Sequence, residues 1–121
     1  MITFKVDDLS EMTERVRGFA DFLRRGGVSD EDVFASRIVS CELISNVILH
    51  GGEAALFRGE IRDGGIVITV SASGFDGVNI RPALPDVLAE SGRGMYIVNC
   101  ISLGNVERIG GGLKVTIKMK S

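Results

Sequence analysis

Hydrophobic positions along the chain change their spacing several times, and each change predicts a new element. Over residues 2–6 apolar and polar residues alternate, which is the period of a half-buried strand. From residue 9 to residue 23 apolar residues recur every three or four positions, which predicts an amphipathic helix. Asp8 and Glu11 resemble a capping pair at its start, and Gly26-Gly27 supplies a left-handed cap at its end.

A second helical pattern begins after Ser29, whose hydroxyl can accept a bond from the first turn. The pattern continues to His50, and Gly51-Gly52 ends it. Two β-rich runs follow at about 54–62 and 66–71, with Asp63-Gly64-Gly65 between them. Glycine in so short a connection predicts a hairpin.

Residues 74–94 contain several glycines and two prolines and keep no period, which is typical of a lid or binding loop. A short helix is predicted over 95–103, and a closing hairpin over 106–109 and 114–120. The order β-α-α-β-β-loop-α-β-β predicts one domain over residues 1–121. Its expected form is a two-layer α/β sandwich, with a mixed, mostly antiparallel sheet and the helices on one face.

Composition and charge exclude some classes of binding partner. The net charge is −2 and the charges form no basic stripe, which argues against nucleic-acid binding. Cys41 and Cys100 lie inside apolar stretches, so two packed thiols in a reducing compartment are expected. Neither a signal segment nor an apolar run of about 20 residues is evident, so no membrane partner is expected. Together these features predict a cytoplasmic protein.

Three polar residues of the second helix form the first candidate site. Glu42, Asn46 and His50 lie four residues apart, so they share one face of the helix. They border an apolar stripe, and a buried carboxylate or amide requires a partner. The alternative is that Glu42 and Asn46 are solvated residues of the outer face. His50 could equally interact with the carbonyls at the helix end.

Gly92-Arg93-Gly94, directly before Met95, forms the second candidate site. Two glycines allow a ligand to approach the backbone, and the following helix start offers free N–H groups to an anion. Arg93 could add a charge-assisted bond to a phosphate. The alternative is an ordinary turn between a loop and a helix.

Both candidate sites match motifs of one family. The segment 42–51, with the pattern E-x-x-x-N-x-x-x-H-G, resembles the N-box of GHKL ATPases in the form found in anti-sigma-factor serine/threonine kinases. The segment 91–98 resembles the second glycine box of that family, G-R-G-L-x-I-V. The opening helix and the final G-G-x-x-V-x-I strand also fit, so the resemblance extends along nearly the whole chain.

The resemblance implies a Bergerat (histidine kinase-like ATPase) fold that binds ATP and Mg²⁺. It implies that Glu42 activates the attacking hydroxyl and that Asn46 helps to hold Mg²⁺. The other residues implied to bind the nucleotide are His50, Gly74, Asp76, Gly92, Arg93, Gly94 and Met95. The implied partners are a sigma factor and a STAS-type anti-sigma-factor antagonist that is phosphorylated on serine or threonine, and homodimerisation is a further implication.

The sequence departs from the family at the first glycine box, whose aspartate binds the adenine amino group. Val70 or Ala72 falls at that place, depending on alignment, and neither side chain accepts a hydrogen bond. Leu113-Lys114 also replaces the threonine of the last motif. Two functions therefore remain open: an active kinase, or a binding protein of the anti-sigma type with weak or no phosphotransfer. A histidine-kinase catalytic domain is less favoured, because no helix with a phosphorylatable histidine precedes the N-box.

Overall fold

Three helices and five strands make up the part of the chain that the computed structural model describes, residues 1–73 and 92–120. In chain order they are β1 (Ile2–Val6), α1 (Leu9–Arg25), α2 (Asp30–Gly51), β2 (Ala55–Arg62), β3 (Gly65–Ala72), α3 (Gly92–Ser102), β4 (Val106–Ile109) and β5 (Gly112–Lys118). The predicted α/β class is confirmed.

All five strands form one sheet in the order β1-β2-β3-β5-β4, and every pair is antiparallel. The prediction of a mixed sheet was therefore wrong for the described strands. The reason lies in the two helices between β1 and β2. Because α1 leads the chain away and α2 returns it to the same end of the sheet, Ala55 begins β2 opposite Val6, the last residue of β1.

The helices pack on one face of the sheet, as predicted. Alternate strand residues point into a single core, which also contains the apolar faces of α1 and α2. Phe57 of β2 stacks on Phe4 with ring centroids 4.4 Å apart and meets the edge of Phe19 at 4.9 Å. Gly59, two residues further along β2, leaves room for the Phe19 ring; a Cβ there would lie 2.8 Å from Cζ of that ring.

Both long helices begin where the capping residues predict. Asp8 accepts from the Ser10 N–H at 2.9 Å, and Ser29 accepts from the Asp32 N–H at 3.3 Å. Glu11 Oε1 accepts from the N–H of Asp7 at 2.8 Å, one residue earlier than in a standard capping box. At the end of α1 the left-handed residue is Gly27, with φ 86°.

Two tight hairpins fix the register of the sheet. Arg62 pairs with Gly65 around Asp63-Gly64, and Ile109 pairs with Gly112 around the second turn. Asp63 and Gly64 have φ of 51° and 77°, the positive values that a type I′ turn requires at both central residues. The predicted hairpins are thus confirmed, although β5 begins two residues before its predicted start and ends at Lys118.

The central helix is α2, which contacts α1, α3 and three strands. By length and composition alone, α2 could cross a membrane, and a single helix of this kind does not test the expectation that no membrane partner exists. The core helix of a soluble protein has the same character, and α2 buries Val39, Leu43, Ile44 and Val47 in this core.

Candidate functional site

The helices α2 and α3 lie side by side and run in opposite directions. Near the start of α3, Gly94 touches Glu42: a Cβ on Gly94 would collide with the Glu42 carboxylate and lie 3.1 Å from its Cδ. At the other end, Cys100 and Leu103 border the same groove as Phe34 and Ile38 of α2. The start of α3 therefore lies beside the middle of α2, next to Glu42.

The glycine motif lies inside the helix rather than before it. The prediction placed Gly92-Arg93-Gly94 in a turn and began the helix at Met95, whereas α3 begins at Gly92. The prediction left both glycines in the turn, whereas α3 includes them and contacts α2 and β5. The N–H groups of the first turn have no partner within a helix, so the capacity to bind an anion stays with this segment.

The three polar residues of α2 differ in burial. Glu42 is half-buried against Gly94, and His50 is exposed in the last turn. Asn46 is only 7% exposed, and its Nδ2 has no hydrogen-bond partner among the described residues. The alternative of a solvated outer face is therefore wrong for Asn46. An unpaired buried amide costs about 1–3 kcal/mol, so a ligand is a reasonable explanation for it.

The position of Asn46 suits a phosphate-bound Mg²⁺. It lies one turn beyond Glu42 on the same face of α2, about 6 Å along the axis, and α3 begins beside this stretch. An amide offers one oxygen to a cation and two N–H donors to phosphate oxygens, and rotation by 180° exchanges them. Mg²⁺ commonly takes one or two protein oxygens and completes its shell with phosphate and water. The residues present thus fit Mg-ATP.

Metal binding by side chains alone has no support in the described part of the chain. Residues 1–73 and 92–120 contain no group of three or more histidine, cysteine, aspartate or glutamate side chains that could hold an ion.

Several predicted residues contribute less to this geometry or lie elsewhere. Gly74 and Asp76 lie outside the described residues. Met95 is half-buried and packs against the core, and its carbonyl accepts from Asn99 Nδ2 at 3.0 Å. The backbone of Arg93 belongs to the first turn of α3.

Val70 and Ala72, the two positions where the resemblance would require an aspartate, both lie in β3 and are buried. Val70 is 1% exposed and lies in the middle of the sheet, between Phe57 and Leu113. Ala72 is the last residue of β3 and is 5% exposed. It pairs with Ala55, which follows α2 by only four residues. Of the two candidates, Ala72 is therefore the one at the same end of the domain as Asn46.

The two thiols are free, but only one of them is packed. Cys41 is half-buried beside the site, and burial raises the pKa of its thiol; Arg37 opposes this shift and Glu42 adds to it. Cys100 is exposed on α3, contrary to the prediction that both thiols are packed. The prediction failed because the apolar residues around Cys100 belong to the opposite, core-facing side of a short helix.

Sequence reasoning missed the burial of several polar residues, and Ser40 is the one whose hydroxyl lacks a partner among the described residues. Ser40 is fully buried in α2. It lies with Ser36, Leu43 and Val47 on the side of α2 that the core covers. A serine in an apolar stripe resembles a small packing residue, and only its position between Val39 and Leu43 hinted at full burial.

Comparison with known proteins adds no family to this geometry. No protein-family model matches the chain, and no curated protein matches it either.

Proposed function

We propose that this protein is an ATP-binding regulatory serine/threonine kinase of the anti-sigma-factor type, with a Bergerat-type fold. The observation that carries the proposal is the unpartnered amide nitrogen of Asn46, a residue that is 93% buried. It lies on the face of α2 that also carries Glu42, which touches the first turn of α3. The N-box and glycine-box motifs, which supply Glu42, Asn46 and the start of α3, support the same function.

Each residue has a distinct task in this proposal. The N–H groups of the first turn of α3 bind phosphate oxygens, and the partial positive charge of the helix end favours this. Asn46 binds the Mg²⁺ that accompanies the nucleotide and neutralises phosphate charge. Glu42 would accept the proton of the serine or threonine hydroxyl as its oxygen attacks the γ-phosphorus, while the bond between that phosphorus and the β,γ-bridging oxygen breaks and ADP leaves. The contact with Gly94 limits where the Glu42 carboxylate can move.

The partners in this proposal are those that the motifs suggest. The phosphorylated substrate is an anti-sigma-factor antagonist of the STAS type, and the protein sequestered is a sigma factor. Both interactions take place in the cytoplasm, and the kinase acts there as a homodimer.

A second candidate function rests on the end of β3. With Ala72 in place of the family's aspartate, the base loses a hydrogen-bond acceptor worth about 1.5–3 kcal/mol. A protein that binds nucleotide weakly and transfers phosphate slowly, yet still sequesters its partner, would tolerate this loss. The two functions share the nucleotide site and differ in the rate of phosphotransfer.

The deciding experiment measures Mg-dependent nucleotide binding by calorimetry and by thermal unfolding. Free nucleotide at a concentration 100 times its dissociation constant should add about 2.7 kcal/mol to the free energy of unfolding. Asn46→Ala should weaken the Mg-dependent part of binding by at least about tenfold, without a matching loss of stability in the free protein.

Ser40→Ala is the matched control, because it removes the other buried and unpartnered polar atom of α2. It should leave nucleotide affinity unchanged. If neither ATP nor ADP binds at millimolar concentration with Mg²⁺, the nucleotide site is rejected and only the partner-binding function remains. If Asn46→Ala and Ser40→Ala lower stability alike and leave binding intact, Asn46 is a structural residue.

A further inference from the structure

The solvent side of Glu42 is bordered by three other residues of α2. Ile38, Ser45 and Leu49 are rotated about the helix axis by about 20–60° from Glu42, all away from Asn46. None of the three is buried: Leu49 is 62% exposed, and Ile38 and Ser45 are half-buried. These three residues are the outer ridge of α2, and they lie beside the candidate base on its accessible side.

The two helices that meet at Glu42 carry few charges near it. From Ile38 to Leu49, Glu42 is the only charged residue of α2, and α3 has none from Gly94 to Ser102. Ser45 is the one polar member of the outer ridge, and its hydroxyl donates to Met12 Sδ at 3.4 Å. The ridge therefore offers mainly apolar contacts.

In the proposed function, the acceptor hydroxyl has to come within hydrogen-bond reach of Glu42. The other side of Glu42 is closed, because Asn46 is 93% buried there and the start of α3 touches the Glu42 carboxylate. The acceptor segment therefore approaches over the outer ridge. The residues that flank its serine or threonine then lie against Ile38 and Leu49, so the reaction itself determines what covers this surface.

The positions of the ridge residues also give the register of the acceptor segment. Along the helix axis Ile38 lies about 6 Å before Glu42 and Leu49 lies about 10.5 Å beyond it, at about 1.5 Å per residue. An extended segment that lies along α2 advances about 3.3 Å per residue. Its second residue on one side of the acceptor should therefore meet Ile38, and its third residue on the other side should meet Leu49.

We propose that the acceptor segment of the phosphorylated partner carries apolar residues at these two positions, and that Leu49 selects the residue at the third. A charged side chain there would lose hydration against an uncharged surface and gain no partner. The inference rests on the proposed function and adds a substrate class to it: a serine or threonine with apolar rather than charged flanks.

The test uses the full chain, Mg-ATP and a panel of synthetic peptides of about 13 residues with one central serine. The members carry leucine, lysine or glutamate at the second position on one side of serine and the third on the other, in both orientations. Peptides with leucine should have a KM at least about tenfold lower than charged ones. This preference should be the same at low and high salt, because it does not depend on charge.

Variants of Leu49 connect this preference to the outer ridge. Leu49→Ser should raise the KM for the leucine peptide by about tenfold and leave kcat and the dissociation constant of Mg-ATP unchanged. Leu49→Lys should reverse the preference at the third position in favour of glutamate, and Leu49→Met should behave like the parent. The matched control is Leu56→Ser, because Leu56 is a 42% exposed leucine in β2. All of these variants should unfold like the parent, since both leucines are exposed.

Three results would overturn the inference while the proposed function stands. The first is equal use of peptides with charged and with leucine flanks. The second is a loss of Mg-ATP affinity in Leu49→Ser as large as the rise in KM, which would make Leu49 a nucleotide contact. The third is binding of Mg-ATP without transfer to any peptide of the panel. Absence of Mg-ATP binding, by contrast, rejects the proposed function and this inference together.

Discussion

The carboxylate of Glu42 lies so close to the backbone of Gly94 that no side chain fits between them. A Cβ on Gly94 would lie 3.1 Å from Glu42 Cδ and closer still to one carboxylate oxygen. Because Gly94 is in the first turn of α3 and Glu42 is in the middle of α2, this contact fixes the helix start beside the candidate base. The glycine requirement at residue 94 is therefore one of space, and not of backbone conformation.

Gly94→Ala tests this contact directly. We expect it to displace the Glu42 carboxylate, which is the far end of a flexible side chain, and to lower the free energy of unfolding by about 0.5–1.5 kcal/mol, the cost of an unfavourable rotamer. In the double variant Gly94→Ala/Glu42→Ala the collision is gone, so the two changes should be non-additive by at least about 0.5 kcal/mol. Denaturant unfolding of the parent, Gly94→Ala, Glu42→Ala and the double variant measures this non-additivity.

The control for that cycle is Gly18→Ala, because a Cβ on Gly18 in α1 meets nothing within 4 Å. It should stabilise the protein by about 0.5–1 kcal/mol through helix propensity. If Gly94→Ala also stabilises the protein by that amount, Gly94 and the Glu42 carboxylate are not in contact.

Glu42→Gln separates catalysis from binding. The amide keeps the shape of the side chain but cannot take a proton, so phosphotransfer should fall by roughly 10²–10⁴-fold. Nucleotide affinity should change by less than about threefold, since Asn46 and the start of α3 are intact. Single-turnover transfer and equilibrium titration give the two numbers. Unchanged transfer by the variant would remove Glu42 from the role of base.

The two thiols should react at very different rates. Cys100 is exposed, whereas Cys41 is half-buried and burial raises the pKa of its thiol. At pH 8 an alkylating reagent should therefore modify Cys100 first and Cys41 only slowly. Mass spectrometry of the labelled peptides over time measures both rates, and unfolding in denaturant should make them equal. Faster labelling of Cys41 in the folded protein would contradict its placement.

The raised pKa of the Cys41 thiol should also make the free energy of unfolding decrease as the pH rises. A thiol whose pKa is higher in the folded protein favours folding below the unfolded pKa of about 8.5, and this contribution is lost as pH rises above that value. In Cys41→Ser the free energy of unfolding should no longer decrease above this pH. In Cys100→Ser the decrease should remain. Denaturant unfolding from pH 7 to pH 10 compares the two variants with the parent.

Gly59→Ala tests how α1 packs on the sheet. A Cβ at residue 59 would lie 2.8 Å from Cζ of the Phe19 ring, and both residues are enclosed in the core. We expect a loss of about 1–3 kcal/mol in the free energy of unfolding. Phe19→Leu in the same chain should recover part of it, because the smaller side chain leaves space. A loss that Phe19→Leu does not relieve would indicate a cause other than this contact.

Local patterns were sufficient to predict most elements of the fold. Ser29, Asp8 and the Asp63-Gly64 turn act through hydrogen bonds and backbone angles within a few residues, so sequence spacing alone indicates them. The alternation in β5 predicted its buried face for the same reason.

Contacts between distant segments could not be predicted in this way. The sequence predicted a helix from Met95, whereas α3 begins at Gly92 and packs against α2. The exposure of Cys100 depends on which side of α3 faces the core. The N-box spacing placed Glu42 and Asn46 on one face, but the burial of Asn46 and the collision at Gly94 follow only from how two helices pack.

The last prediction concerns the base of the nucleotide, and it depends on Ala72. This residue ends β3 at the same end of the domain as Asn46, and its side chain offers no hydrogen-bond acceptor. The parent protein should therefore bind ATP weakly and barely distinguish it from GTP, because phosphate and metal contacts do not recognise the base. Ala72→Asp should tighten ATP by about tenfold for each 1.4 kcal/mol recovered, and a bond to a charged acceptor is worth about 1.5–3 kcal/mol. GTP should gain nothing, since its base carries an oxygen where adenine carries an amino group.

The measurement is the pair of dissociation constants, for ATP and for GTP, in the parent and in Ala72→Asp, with Ala72→Leu as a control for the added bulk. Tight, adenine-selective binding by the parent would refute the prediction and would direct the search to Asp76.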